Sequence, residues 1–232
     1  IMAGSAVITN STLPIAYSTT GGGSYCAGGA GVSFGLPGSQ FEMIYQLFLV
    51  GANNSYTPAA PPISSLGGAI LTAIHPYASG NYVFIATNAD GCTRVMGRPR
   101  LVTVIPLPVV FNVTGGGVIC PGTAGVSIGL DGSELGVNYR LKRDGNNASP
   151  WISGGNGAID FGTFNTPGTY TVMASTTTAG CMANMNGSVL VAHSALPLAF
   201  QMTGGGTYCM GGTGVPIGLS NSELGVLYQL HV

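Results

Sequence analysis

Five cysteines are the residues of this sequence best able to do covalent chemistry. Cys26, Cys120 and Cys209 each close a triple-glycine run: Gly21-Gly22-Gly23-Ser24-Tyr25-Cys26, Gly115-Gly116-Gly117-Val118-Ile119-Cys120 and Gly204-Gly205-Gly206-Thr207-Tyr208-Cys209. Cys92 and Cys181 share a second context, Asp90-Gly91-Cys92 and Ala179-Gly180-Cys181. One pair per repeat reads as one disulfide within each repeat, Cys26 with Cys92 and Cys120 with Cys181, and implies an oxidising, extracellular compartment. Closing loops of about 60 to 65 residues would contribute roughly 4 kcal/mol each on the chain-entropy account. Cys209 is left unpaired, or exchanged with another chain. A zinc site would ask for Cys-x-x-Cys or a neighbouring histidine, and the sequence offers neither.

Other reactive groups do not assemble into a site on paper. The glycine runs lack the Gly-Lys-Ser/Thr step and the helix that a phosphate loop needs, and a cysteine and a strand follow instead. His75, His193 and His231 occupy unrelated positions of the repeat, which argues against a triad or a ligand cluster. The carboxylates Glu42, Asp90, Asp131, Glu134, Asp144, Asp160 and Glu223 are too scattered for a calcium loop. Glu134 and Glu223 are register-equivalent, with Gln40 in the first copy, and read as a turn or inter-repeat contact. With Lys142 the only lysine, self-forged Lys–Asn isopeptide bonds are not expected. The expectation is no catalysis, no cofactor and no metal. Two basic groups remain, Arg94, Arg98 and Arg100, and Arg140, Lys142 and Arg143. They read either as solvated faces that discourage edge-to-edge pairing or as a contact surface for another fibre or an anionic surface glycan. Trp151, the only tryptophan, follows Ser149-Pro150 and either anchors its loop or stacks on a sugar.

The elements that position these residues recur. Cys26 and Cys120 are 94 residues apart and Cys120 and Cys209 are 89 apart, so the chain is a tandem array. Proline-led segments open each copy, at Pro14-Ile15-Ala16-Tyr17, Pro108-Val109-Val110-Phe111 and Pro197-Leu198-Ala199-Phe200. The boundaries fall at 1–13 (the last strand of a preceding or donated unit), 14–106, 107–195 and 196–232, the first half of a third repeat. The 94-residue offset holds from Pro14/Pro108 through Asn53/Asn147 and falls to 88 at Gly80/Gly168, which leaves six extra residues near Tyr56 to Pro62 in the first copy. Length variation of that kind belongs to a surface loop.

Only 6% of the 232 residues are charged, and 39 are glycine. A near-neutral surface without clustered Lys and Arg is a poor match to nucleic acid. No apolar run approaches the roughly 20 residues of a spanning helix. Short alternating segments rich in Thr, Val, Ile and Tyr, punctuated by Gly, Asn and Pro, predict an all-β fold. In Val137-Asn138-Tyr139-Arg140-Leu141-Lys142 the apolar residues share one strand face, and Asp144-Gly145-Asn146-Asn147 predicts a tight hairpin after it. The last strand is expected at Val95 to Ile105 and at Met185 to Ala192, and again at Ile1 to Ile8. Roughly seven strands per copy fits tandem immunoglobulin-like β-sandwich domains with one disulfide per domain.

The Gly-Gly-Gly-x-Tyr-Cys-x-Gly-Gly opening, the Gly-Val-x-Ile-Gly-Leu run and the Gly-x-Tyr-x-Val…Gly-Cys ending resemble the immunoglobulin-like repeats of giant Bacteroidetes cell-surface proteins. Asn81 to Thr93 and Thr169 to Met182 are similar to the repeats of SprB-type gliding adhesins. The resemblance implies long extracellular fibres exported by the type IX system, whose partners are neighbouring repeats or identical subunits. A structural or adhesive role is therefore the expectation, with a carbohydrate- or protein-binding module, or a filament subunit polymerising by strand exchange, as the alternative.

Overall fold

A computed structural model describes residues 7–232, so most of the strand expected at Ile1 to Ile8 lies outside the described residues. Inter-residue contacts divide the chain into two compact units. The first comprises Ile1–Val109 with Gly136–Asn138 and Ala174–Ala183, and the second comprises Val110–Leu135, Tyr139–Met173 and Asn184–Val232.

The first repeat is built from ten strands: β1 (Thr20–Gly21), β2 (Gly23–Cys26), β3 (Phe34–Leu36), β4 (Phe41–Val50), β5 (Tyr56–Pro58), β6 (Ile63–Leu66), β7 (Ile70–Leu71), β8 (Gly80–Thr87), β9 (Thr93–Val95) and β10 (Arg100–Ile105). They form a small sheet, β1-β3-β7, and a large one ordered β2-β10-β8-β4-β5, with β6 also paired to β4 and β9 to β8. The opening strand thus divides between the two sheets and its second half runs parallel to the last strand, with Val102, Thr103, Val104 and Ile105 beside Gly23, Ser24, Tyr25 and Cys26. Two sheets, an antiparallel body and this divided first strand make an immunoglobulin-like sandwich.

The second repeat repeats the plan with β11 (Val113–Gly115), β12 (Gly117–Ile119), β13 (Val126–Leu130), β14 (Val137–Arg143), β15 (Asn146–Asn147), β16 (Ile152–Ser153), β17 (Ile159–Phe164), β18 (Gly168–Thr176), β19 (Met182–Asn184) and β20 (Val189–His193). Its sheets are ordered β11-β13-β17 and β12-β20-β18-β14-β15. Of the third repeat, β21 (Met202–Gly204) and β22 (Ile217–Leu219) pair with each other.

The triple glycine is where the chain crosses from one sheet to the other. Gly115 ends β11 at a φ of 93°, and a Cβ there would collide with the Ser127 carbonyl oxygen; Gly21 against Ser33 and Gly204 against Pro216 repeat the geometry. A left-handed backbone without room for a side chain admits only glycine.

Alternation decides which faces meet. Along β14, Val137, Tyr139 and Leu141 are buried while Asn138, Arg140 and Lys142 are half-buried. The core of the first repeat gathers Phe34, Leu36, Tyr45, Leu47, Phe84 and Val102 with the tyrosines Tyr77 and Tyr82. Each such side chain contributes about 1.5–3 kcal/mol on full burial. In residues 196–232 Tyr228 is 41% exposed, where its equivalent Tyr139 in the second repeat is 0% exposed.

Asp144-Gly145 makes the expected two-residue turn, with φ of 49° and 82° and Arg143 opposite Asn146. The matching stretch of the first repeat differs. There a single 3-10 turn, Ala52–Asn54, with Asn53 and Asn54 at positive φ, lengthens the loop between Val50 and Tyr56. The last strand of repeat one, expected from Val95 to Ile105, is broken at Met96-Gly97 between β9 and β10, and that of repeat two, expected from Met185 to Ala192, is β20 alone, with β19 ending just before Met185. Met96 and Met185 are buried at these breaks, and each thioether accepts a backbone N–H from the opening segment, Tyr17 and Phe111 respectively.

Candidate functional site

The expected pairing of cysteines within repeats is overturned. Cys26 is bonded to Cys181, with Cα atoms 5.6 Å apart, and Cys92, Cys120 and Cys209 are free thiols. Cys26 and Cys181 both belong to the first compact unit, which takes in Ala174–Ala183.

The reason lies in the sheet. Cys26 ends β2 beside Ile105, three residues past the Val102–Gly80 pair that marks the start of β8. Cys92 lies beyond the other end of β8, past the Thr87–Thr93 pair, with Asn88 N–H bonded to its carbonyl. The seven steps of β8 alone span about 23 Å at 3.3 Å per residue. A disulfide needs Cα atoms within roughly 7 Å. Repeat two is the same, with Cys120 following Ile119, which pairs with His193, near the start of β18, and Cys181 bonded to Thr176 at its far end. Every complete repeat therefore carries an early cysteine at one end and a late cysteine at the other.

Chain direction explains the bond that does form. The opening segment of repeat one is held at its late-cysteine end: Asn88 Nδ2 donates to the Thr12 carbonyl (3.0 Å) and Arg94 to that of Pro14 (3.1 Å). The last strand leaves at the early-cysteine end, where Ala27 N–H donates to Ile105. Cys26, at the end where the last strand of its repeat leaves, is the early cysteine that is bonded, and its partner is the late cysteine Cys181.

Three recurring clasps fix this frame. Tyr82 and Tyr170, at the starts of β8 and β18, donate their hydroxyls four residues back to Ala78 (3.0 Å) and Thr166 (2.9 Å), the tyrosine corner of immunoglobulin-like sandwiches. This is what the Gly-x-Tyr motif encodes. Burial holds the Tyr82 and Tyr139 phenols above their ordinary pKa. In all three repeats a second tyrosine, Tyr45, Tyr139 or Tyr228, accepts the N–H of Gln40, Glu134 or Glu223 at 2.9 Å. The side chains of Gln40 and Glu223 in turn accept the N–H of Ile15 and Leu198, so these positions secure the proline-led segment within their own repeat.

The basic residues separate into two kinds. Arg94 and Arg100 bond the carbonyls of Pro14 and Thr19, and Arg140 lies 4.7 Å over the Trp151 ring. Trp151 thus has one face covered from inside the repeat, which anchors its loop. Arg98 is exposed, and Lys142 and Arg143 are half-buried on β14.

The acids act locally. Asn112 donates its side-chain amide (2.6 Å) and backbone N–H (2.8 Å) to Asp131, which holds that carboxyl below its ordinary range. The Gly162 N–H and Ser127 hydroxyl do the same for Asp160. His75 packs edge-on against Tyr77, and His193 bonds the Asn165 carbonyl. Among the described residues no group of three or more His, Cys, Asp or Glu side chains could hold a metal ion. Among the described residues no helix is long and apolar enough to cross a membrane.

One concavity coincides with the length variation of the first repeat. A cleft of about 380 Å³ is lined by Ala59 to Ile63 on one side and Leu71 to His75 with Tyr77 on the other.

No protein-family model matches the sequence, and no curated protein is similar to it. Among solved structures, the human OSCAR ligand-binding domain aligns with 78% of this chain and 100% of its own at 19% identity and a TM-score of 0.31. The fibronectin(III)-like modules of Clostridium thermocellum CbhA align with 75% of this chain and 94% of theirs at 11% identity and a TM-score of 0.32. The mouse nectin-like molecule 4 ectodomain (Ig1–Ig3) aligns with 80% and 67% at 13% identity and a TM-score of 0.29.

Proposed function

We propose that this chain is a structural and adhesive segment of an extracellular bacterial surface fibre, built of tandem immunoglobulin-like repeats of the SprB-type Bacteroidetes kind. The observation that carries the reading is the disulfide from repeat one into repeat two. A sandwich that needs only its own stability has no use for a bond to its neighbour, whereas a fibre under tension does. Recurrence of the tyrosine clasp in three successive copies and of the methionine contact in two supports it, because each repeat then presents the same ends to its neighbours. Neighbouring repeats or identical subunits are the expected partners.

Immunogold electron microscopy of the producing cells tests the reading. Label along extended surface filaments, with attachment or surface motility lost when the repeats are deleted, is the expected outcome. Label confined to the cell interior or to dispersed monomers would overturn it. A second reading, a glycan- or protein-binding module, is favoured by the cleft at Ala59 to Tyr77, which the inserted loop of repeat one builds. Glycan-array binding lost on Pro61→Asp would support that reading.

A further inference from the structure

We propose that the Cys26–Cys181 bond is one instance of a staple made at every junction of the array: the early cysteine of each repeat bonds the late cysteine of the repeat that follows. Cys92 and Cys120 are then docking sites for two further copies of the repeat. This deepens the fibre reading and rests on its tandem array.

Two of the three free thiols, Cys120 and Cys92, are register-equivalents of the bonded Cys26 and Cys181. Cys120, like Cys26, follows a strand laid parallel to the last strand of its repeat; it is exposed and lies beside Ser194, whose hydroxyl is 3.5 Å from its sulfur. Cys92, like Cys181, sits in the turn after the tyrosine-corner strand. Both have their N–H capped by a side chain at the end of that strand, Asn88 at 2.8 Å and Thr176 at 2.9 Å. In each pair one member is bonded and the other is free.

The surroundings of Cys92 identify its partner. It opens on a cleft lined by Thr9, Asn10, Ser11 and Asp90. The segment is held there by hydrogen bonds from Ser11 to Asp90 (2.6 Å) and from Asn88 to Ser11 (2.8 Å). By the Pro14/Pro108 register, Ile8 to Ser11 are the equivalents of Val102 to Ile105, the residues against which Gly23 to Cys26 pair. Ile8 is 93% exposed, and this backbone edge carries no strand partner among the described residues. A Gly-x-x-Cys strand of a preceding repeat added in parallel to this edge would bring its cysteine beside Ser11 and within reach of Cys92. That is strand addition at an open edge, closed by a covalent bond.

The chemistry is thiol–disulfide exchange. The Cys120 thiolate attacks a disulfide of the compartment's thiol–disulfide oxidant and forms a mixed disulfide, expelling one oxidant thiolate. The late cysteine's thiolate then displaces the second oxidant sulfur. The two protein thiols lose two electrons and two protons in all, and the oxidant leaves as a dithiol. Cys92 reacts in the same way with an early cysteine.

The test is non-reducing peptide mapping of the exported protein from its producing cells, with thiols blocked by N-ethylmaleimide at harvest. Expected are a Cys120 peptide linked to a Gly-Cys peptide of the following repeat, a Cys92 peptide linked to a triple-glycine peptide of the preceding repeat, and blocked thiol on neither. A Cys120–Cys181 or Cys26–Cys92 link, or full alkylation of Cys92 and Cys120, overturns the proposal. A Cys120→Ser array gives a second readout: one newly alkylated late cysteine in the following repeat is expected, and alkylation of Cys181 overturns it. Links between separate chains would place the neighbouring copy in trans and overturn the in-array staple. Because mapping reads connectivity and microscopy reads display, failure of the staple and failure of the fibre reading are distinguishable.

Discussion

Replacing Gly115 by alanine should lower the stability of the second repeat by roughly 2–3 kcal/mol. An alanine at a φ of 93° is in the left-handed region, which costs about 1–2 kcal/mol. Its methyl would also overlap the Ser127 carbonyl, so β11 must move away from β13. That movement breaks the Gly116 N–H bond to Ser127 (3.1 Å), worth about 1 kcal/mol. Gly122 supplies the control, since its φ is 85° and nothing lies within 4 Å of the position a Cβ would take. Gly122→Ala should therefore show the conformational term alone, and the two variants should differ by about 1 kcal/mol, the lost hydrogen bond. At a urea m-value of about 2 kcal/mol/M this is a midpoint difference of roughly 0.5 M. Trp151, the only tryptophan, lies in the second repeat and reports its unfolding by fluorescence. Equal midpoints for the two variants would refute the argument that the triple glycine marks a steric crossing between sheets.

Other perturbations bear on the clasps. Tyr170→Phe keeps the buried ring but removes the bond to the exposed Thr166, so about 1 kcal/mol should be lost, a fall of roughly 4–8 °C in Tm for a domain of this size, read by calorimetry. The Asp131 carboxyl is held below 3.8, so its contribution is present above that pH and is lost as pH falls through the depressed value. Asp131→Asn should flatten the decline in the urea midpoint below pH 4 relative to the parent chain. Arg140→Ala uncovers one face of the Trp151 ring, so its emission should shift to the red and acrylamide quenching should rise, with a stability loss of about 0.5–1 kcal/mol.

The parts of this fold legible from sequence are those that depend on near neighbours. The alternation of Val137, Tyr139 and Leu141 fixes a strand face because side chains alternate every residue, and Asp144-Gly145 fixes a turn because positive φ is a local demand. Gly-x-Tyr was visible as a repeated motif, but its role as a tyrosine corner emerged only where the hydroxyls met the carbonyls of Ala78 and Thr166. The cysteine connectivity was not legible, because it depends on which end of β8 or β18 each cysteine occupies, and that is settled by β2 and β12 running parallel to the last strands. Counting one pair per repeat predicts two bonds within repeats, where the structure has one bond, from Cys26 to Cys181, and leaves Cys92 and Cys120 free. Met96 and Met185 had given no signal, and the strand breaks they fill became apparent only where each thioether met a backbone N–H.

The two cysteines of a repeat lie at opposite ends of its sandwich, and bonding runs between repeats. Non-reducing tryptic or proteinase mapping of this 232-residue chain, refolded in a glutathione redox buffer, tests it most directly. One crosslinked pair, Cys26 with Cys181, and alkylation of Cys92, Cys120 and Cys209 are expected. Recovery of Cys26 with Cys92 and of Cys120 with Cys181 would contradict it.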